Sequence, residues 1–394
     1  MVNNTFVLNI NSKLFEVIMK KTIIALTLTA SFSVFANIPV AGDDLPFFNA
    51  EREAVQNGAI IKDMSGQAQA SLAQFMAKQP LGEFSEDVLK AAKHAVENNR
   101  KIAPDYVAMM EASAKIRGID VAELFASVSQ VDYSVNQAVK SSMQEKQEVE
   151  TIKGCTSIAF NNGIVGQTND LSLATSLTDH TTVVKTDDSI FVVADGAHFQ
   201  GMGKHVGIVI NFMGAPAGID GIDHKNLVTV DAIFAAATQA KSVDIFLNTI
   251  KDVRTIIPFN FTVADDKGNH AAIEVTVENG VKAIQYSERG SVHANHSAEF
   301  KQGFLAEHSA IDANTAFFST FAREVAAENF LDYSPELTVE SMQWLFSQRP
   351  INMTKYKGKD FVTVEAMIFD TVEGCAYVSG DNPNFSGYSK VCFK

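Results

Sequence analysis

Gly154-Cys155-Thr156-Ser157, a turn at Asn162-Gly163, and then Gly166-Gln167-Thr168-Asn169-Asp170 stand in the middle of this chain and divide it into two unlike halves. Before Cys155, over residues 46–145, apolar residues recur at three-and-four spacing and strand signals are nearly absent. That spacing predicts helices over 50–77, 86–99, 105–117 and 120–131, with Ser85 as an N-cap and Pro80, Pro104 and Gly118 as breaks. A polar run over 144–150 leads into the Gly154-Cys155 junction and reads as an exposed connection. After the junction, short β-branched or aromatic segments predict strands over 155–160, 181–185, 190–194, 205–212, 260–264, 271–277, 281–286, 362–369 and 375–378. Turn signals such as Asp266-Lys267-Gly268 and Glu278-Asn279-Gly280 separate several of them. Helices are expected over 230–240, 242–252, 313–329 and 338–348. Helices first, then antiparallel strands enclosing helices, is an α+β layered pattern.

The ends of the chain set its context. Met19-Lys20-Lys21, an apolar stretch over 22–35 too short to span a bilayer, and Val34-Phe35-Ala36 together read as a secretory signal cut after Ala36. Residues 1–36 are therefore expected to be removed, with Met19 as a candidate start, and a retained anchor is the alternative. The mature protein should have no stable membrane anchor and should be periplasmic or secreted. A net charge of -14 repels phosphate backbones, so nucleic acid is an unsuitable partner. The chain has three cysteines, and in an oxidising compartment Cys375 and Cys392, flanking Gly380-Asp381-Asn382-Pro383, could staple a terminal hairpin. Cys155 is then odd: either buried and inert, or reduced because it reacts.

Gly154 leaves its carbonyl unshielded, and the Cys155 thiol needs only to attack it to form a thioester that water opens. The fragment so released would begin with a thiol and an α-amine on one residue, and an α-amine ordinarily titrates at about 7.7–8.0. Such an amine can take the proton of its own thiol, as a histidine does elsewhere. The dipeptide alone is weak: Gly374-Cys375 repeats it.

The surrounding residues make the chain resemble the cysteine N-terminal nucleophile hydrolases related to isopenicillin N acyltransferase, and more distantly the choloylglycine hydrolases and penicillin V acylases. The resemblance runs through Ile102-Ala103-Pro104-Asp105-Tyr106, Gly118-Ile119-Asp120-Val121, Gly154-Cys155-Thr156-Ser157, Gly166-Gln167-Thr168-Asn169-Asp170, Ile210-Asn211-Phe212 and Val292-His293-Ala294-Asn295-His296. It implies an αββα four-layer sandwich with a helical pro-region over 37–154 and an enzyme core over 155–394, two subunits from one precursor. It implies Cys155 as nucleophile and, through its amine, base, with Asp170 holding the amine or the thiol. Asn295 would donate to the developing oxyanion, Asn211 would supply a second donor, and Arg323 would stand near the substrate. The reaction implied is hydrolysis or acyl transfer on a small, linear, non-peptide amide without a cofactor, and the 28 phenylalanines suit an apolar acyl group. Two departures stand out: Thr168 occupies the place of the family's asparagine, and Gln167 that of the arginine in bile-salt hydrolases.

Plainer readings exist for each residue. Asp170 could cap a turn, and Asn211 and Asn295 could satisfy backbone at strand ends. His293 and His296, three apart, lack a third ligand at suitable spacing, so no metal is expected. Ser157 has no Gly-Xaa-Ser-Xaa-Gly frame. Two rivals remain: an acylase for β-lactam side chains, acyl-homoserine lactones or lipid amides, and an unprocessed exported binding protein with Cys155 inert.

Overall fold

A computed structural model describes residues 59–66, 86–125, 154–172, 181–194, 197–213, 226–255, 258–276, 279–307, 318–354 and 361–393. The expected signal segment, Ser85 and the polar run over 144–150 lie outside the described residues. Among the described residues no helix is long and apolar enough to cross a membrane.

The strands form two sheets. In the first, β1 (Ala59–Asp63) leads into β4 (Thr181–Lys185), β5 (Ile190–Ala194), β6 (Ala197–Met202), β7 (Val206–Phe212), β8 (Phe259–Asp265), β9 (His270–Thr276) and β10 (Gly280–Ile284), in that order. In the second the order is β11 (Gly290–His293), β2 (Cys155–Phe160), β3 (Ile164–Ser172), β12 (Phe361–Asp370), β13 (Cys375–Ser379) and β14 (Ser389–Cys392). Helices α1 (Glu86–Ile102), α2 (Pro104–Arg117), α3 (Val230–Gln239) and α4 (Val243–Ile250) belong to the side of the first sheet. After α5 (Ala298–Glu307) come α6 (Phe318–Tyr333) and α7 (Val339–Ser347), which cover the second sheet.

Three apolar seams account for this layering, since each sheet face and helix stripe must bury its hydrocarbon against another layer. Phe246, Ile233 and Val107 pack with Phe261 and Ile273 of the first sheet. Val165, Met367 and Phe369 of the second sheet meet Val183, Val192 and Val209 of the first. Met342, Phe346 and Leu331 close over Ile158 and Ile368. The αββα order expected from the resemblance is the order found.

One expectation is corrected. Residues 59–63, read within a helix over 50–77, form β1, a parallel partner of β4 with Ala59 opposite Thr181. Ala59-Ile60-Ile61 is apolar at consecutive positions, and the open edge of β4 supplies the ladder that outweighs helical spacing. The part of the chain before Cys155 is therefore not purely helical. It is also tied to the core by side chains: Asn98 Nδ2 donates to the Leu227 carbonyl at 2.9 Å, and Asn99 accepts from Thr229 N at 3.0 Å. At the other end, Cys375 and Cys392 face each other across β13 and β14 and are disulfide-bonded, closing a loop with a sequence separation of 17. Such a loop contributes about 3 kcal/mol by restricting the unfolded chain.

Candidate active site

Cys155 is the first residue of β2 and is free and partly exposed. It pairs with Asn169 on β3, so the two side chains share one face of the sheet. That face looks inward: Gln167 of β3 reaches across to accept the Ile210 N–H of β7 at 2.8 Å, and Ser157 Oγ lies 2.7 Å from Thr262 Oγ1 of β8. Thr156, Thr168 and Asp170, at alternate positions, face the helix layer, where α6 carries Arg323.

Gly154 sits one residue before the strand, its carbonyl accepting the Asp170 N–H at 2.7 Å, a last rung of the ladder. The peptide bond expected to break is thus held by backbone, with an N–H aimed at the oxygen where negative charge would gather. A Cβ on Gly154 would stand 2.7 Å from Asp170 Oδ2 and 2.8 Å from Arg323 Nη2. Neither neighbour can retreat into solvent, because both are buried.

Arg323 is fully buried. Its Nη1 donates to the Cys155 carbonyl and, at 2.8 Å, to Thr156 Oγ1, while Nη2 donates to Asn295 Oδ1 at 2.7 Å. It lies under Cys155 and binds the protein's own backbone; the resemblance placed it near the substrate. A planar fork of donors is what three acceptors at one point require.

Asn295 accepts the Cys155 N–H at Oδ1, 2.8 Å away, and donates through Nδ2 to the Phe212 carbonyl at 2.7 Å. Two donors face its oxygen and a carbonyl faces its nitrogen, so the orientation of this amide is fixed. It therefore holds the nitrogen of Cys155 and uses one of its two amide N–H donors on Phe212; the resemblance made that amide group an oxyanion donor. Asn211 is buried on the inner face, donating to the His293 carbonyl at 3.3 Å and accepting from Asn260 at 3.4 Å. Among the described residues no hydrogen bond joins it to Cys155.

Asp170 accepts from Thr363 Oγ1 at 2.5 Å, while its Oδ2 is buried with no hydrogen-bond partner among the described residues. Burial pushes its carboxyl up to about 7, against the opposing pull of Arg323 and the Thr363 hydroxyl. Burial, then the Asp170 charge, push the Cys155 thiol up to about 12. A thiol so held is neutral, and its proton must leave for the sulfur to attack.

The two histidines do not converge on a shared ligand. His293 Nε2 lies 3.0 Å from Glu274 and His296 Nε2 lies 3.1 Å from Glu324. His296 Nδ1 meets Thr320 Oγ1 at 2.8 Å, and that hydroxyl accepts the Asn295 N–H at 2.9 Å. Burial lowers His296, and Glu324 is brought down to about 2 by His296 and Lys301 against the cost of burial. Thr168, in the place of the family's asparagine, has a buried hydroxyl with no partner among the described residues.

Sequence reasoning missed Asn169, Thr156, Thr320, Thr363 and Glu365. For Asn169 a signal existed: in a strand pair, the polar residue directly opposite Cys155 is the one that can touch it.

A sequence profile of the acyl-coenzyme A:6-aminopenicillanic acid acyl-transferase family matches residues 159–384, more than half of the chain. A mutant of the conjugated bile acid hydrolase from Clostridium perfringens is similar in structure with a TM-score of 0.38 at 10% identity, covering 61% of this chain and 97% of that one. A second variant of that hydrolase gives 0.35 at 10% identity, with 62% and 90% covered. Penicillin V acylase from Agrobacterium tumefaciens gives 0.29 at 12% identity, with 58% and 74% covered. No curated protein sequence matches.

Proposed function

This chain belongs to the acyl-coenzyme A:6-aminopenicillanic acid acyl-transferase family, and we propose that it is an amide-cleaving acylase or acyltransferase whose nucleophile, Cys155, is released by self-cleavage at Gly154–Cys155. The observation that carries this reading is the set of groups around that bond. Arg323 and Asn295 grip the two sides of Cys155, the Asp170 N–H bonds the Gly154 carbonyl, and Asp170 Oδ2 waits beside them without a hydrogen-bond partner among the described residues.

In self-cleavage the Cys155 sulfur attacks the Gly154 carbonyl carbon while the Asp170 N–H stabilises the oxygen. The C–N bond breaks, the thiol proton ends on the departing Cys155 nitrogen, and water opens the thioester to give the Gly154 carboxylate and a free thiol. The new α-amine keeps Asn295 Oδ1 as an acceptor. Removal of Gly154 opens a path to Asp170 Oδ2, so the buried carboxylate gains the partner it lacks, and an unmet buried acceptor of this kind costs about 1–3 kcal/mol. In turnover the neutral amine takes the thiol proton, sulfur attacks the substrate amide, and the same proton leaves on the amine product. Water or a second amine then accepts the acyl group.

The substrate in this proposal is a small non-peptide amide with an apolar acyl group, and the compartment is periplasmic or extracellular. The inner face beside the sulfur carries Asn169, Gln167 and Glu365, so an apolar group must lie away from it. After brief exposure to an N-acyl amide and denaturation, the fragment beginning at Cys155 should have gained the mass of one acyl group. Turnover without any such gain would contradict the acyl-thioester.

Gly154→Ala tests the cleavage step separately. A Cβ clashing with Asp170 and Arg323 would push the Gly154 carbonyl off the Asp170 N–H, and losing much of an oxyanion donor worth about 3 kcal/mol should slow self-cleavage by about ten- to a hundredfold. Time courses of precursor loss check this, and a wild-type rate would contradict it.

A further inference from the structure

The sulfur of Cys155 has its own acceptor on the inner face, and that acceptor is oriented from both ends. Cys155 Sγ donates to Asn169 Oδ1 at 3.3 Å. Gln167 Oε1 accepts the Ile210 N–H, so its NH2 end faces Asn169 Oδ1 and donates to it. Glu365 accepts from Asn169 Nδ2 through one oxygen and from Thr181 Oγ1, at 2.7 Å, through the other. A backbone N–H only donates and a carboxylate only accepts, so neither amide can turn round without losing a bond. The chain of bonds has one direction, and it presents oxygen to the sulfur.

A bulge in β12 makes this arrangement possible. Thr363 is opposite Asp170 and Glu365 opposite Asn169, so two steps on β12 match one step on β3. The extra residue sends Thr363 to the helix-facing side and Glu365 to the inner side, where in a regular strand both would share a face. Glu365 is 1% exposed, and both of its carboxylate oxygens accept hydrogen bonds.

We propose that Glu365 is a positioning residue that acts through Asn169 to hold the Cys155 thiol in its protonated form and fix its direction. The proposal rests on the reading of Cys155 as nucleophile. An oxygen acceptor stabilises S–H and disfavours the thiolate, and a carboxylate beyond it acts in the same sense. In turnover the thiol is thereby idle until the α-amine takes its proton, which confines attack to the moment when that amine is neutral and in place.

Glu365→Gln separates charge from geometry, because the substituted amide can accept from Asn169 and donate to Thr181. With Cys375 and Cys392 bonded, Cys155 is the free thiol of the chain, so iodoacetamide labelling reads it directly by intact mass. The midpoint of labelling rate against pH should fall by about one unit in the variant, equivalent to about tenfold faster labelling at a fixed pH below the midpoint. An unmoved midpoint, whatever happens to the melting temperature, overturns the proposal. Should the variant fail to fold, the infrared S–H stretch of the wild-type protein decides: a hydrogen-bonded band supports it and a free-thiol band overturns it. Labelling reads the thiol whether or not it catalyses, whereas full amidase activity in Cys155→Ala would overturn the nucleophile assignment, so the two failures look different.

Discussion

Cys155→Ala should accumulate as one uncut chain with amide turnover reduced by about 10⁴-fold or more, the scale on which removal of a covalent nucleophile acts. Among the described residues, the nearest hydroxyls on its own strand are not placed to replace it. Ser157, two residues on, shares its face but is buried against Thr262 and the His293 carbonyl. Thr156 faces the opposite side and is bonded by Arg323. The substitution removes one sulfur from a partly exposed site, so the fold should persist and melting should barely change. Electrophoresis under denaturing conditions and a rate assay check both halves; normal processing in the variant would remove Cys155 from the account.

Arg323→Met should be nearly as severe for a different reason. The guanidinium is fully buried and bonds the Cys155 carbonyl, Thr156 and Asn295, and it is the cation that opposes the rise of the Asp170 carboxyl. Removing one charge from a buried set leaves the other uncompensated, at a cost of about 3–5 kcal/mol. Urea denaturation should show that loss, and self-cleavage should fail because Asn295 and Cys155 lose their common anchor. Arg323→Lys should not restore cleavage, since one ammonium cannot reach three acceptors in a plane. A variant at Arg323 that melts and cleaves as wild type would contradict its placement.

The alternating segments after Cys155 were legible because their buried faces are hydrocarbon: β4, β5, β7, β8, β9 and β12 each carry β-branched or aromatic residues into a seam. β3 was legible only as a motif. Gly166, Gln167, Thr168, Asn169 and Asp170 are all buried, and several of these polar groups are satisfied by partners on other elements that a local pattern cannot reveal. β1 was hidden for the opposite reason: its apolar residues suited a helix equally well until β4 offered an edge. Of the site, Gly154, Cys155, Asp170 and Asn295 could be named from short motifs. Glu365 could not, because its role depends on a bulge that decides which face it occupies and on partners 184 and 196 positions away.

Self-cleavage leaves a covalent record, and intact mass with N-terminal sequencing of the purified wild-type protein reads it without any substrate. Two polypeptides should be found, associated through β1, β4 and the Asn98 and Asn99 bonds, the later one beginning Cys155-Thr156-Ser157-Ile158. An active protein consisting of one chain unbroken between Gly154 and Cys155 would contradict it.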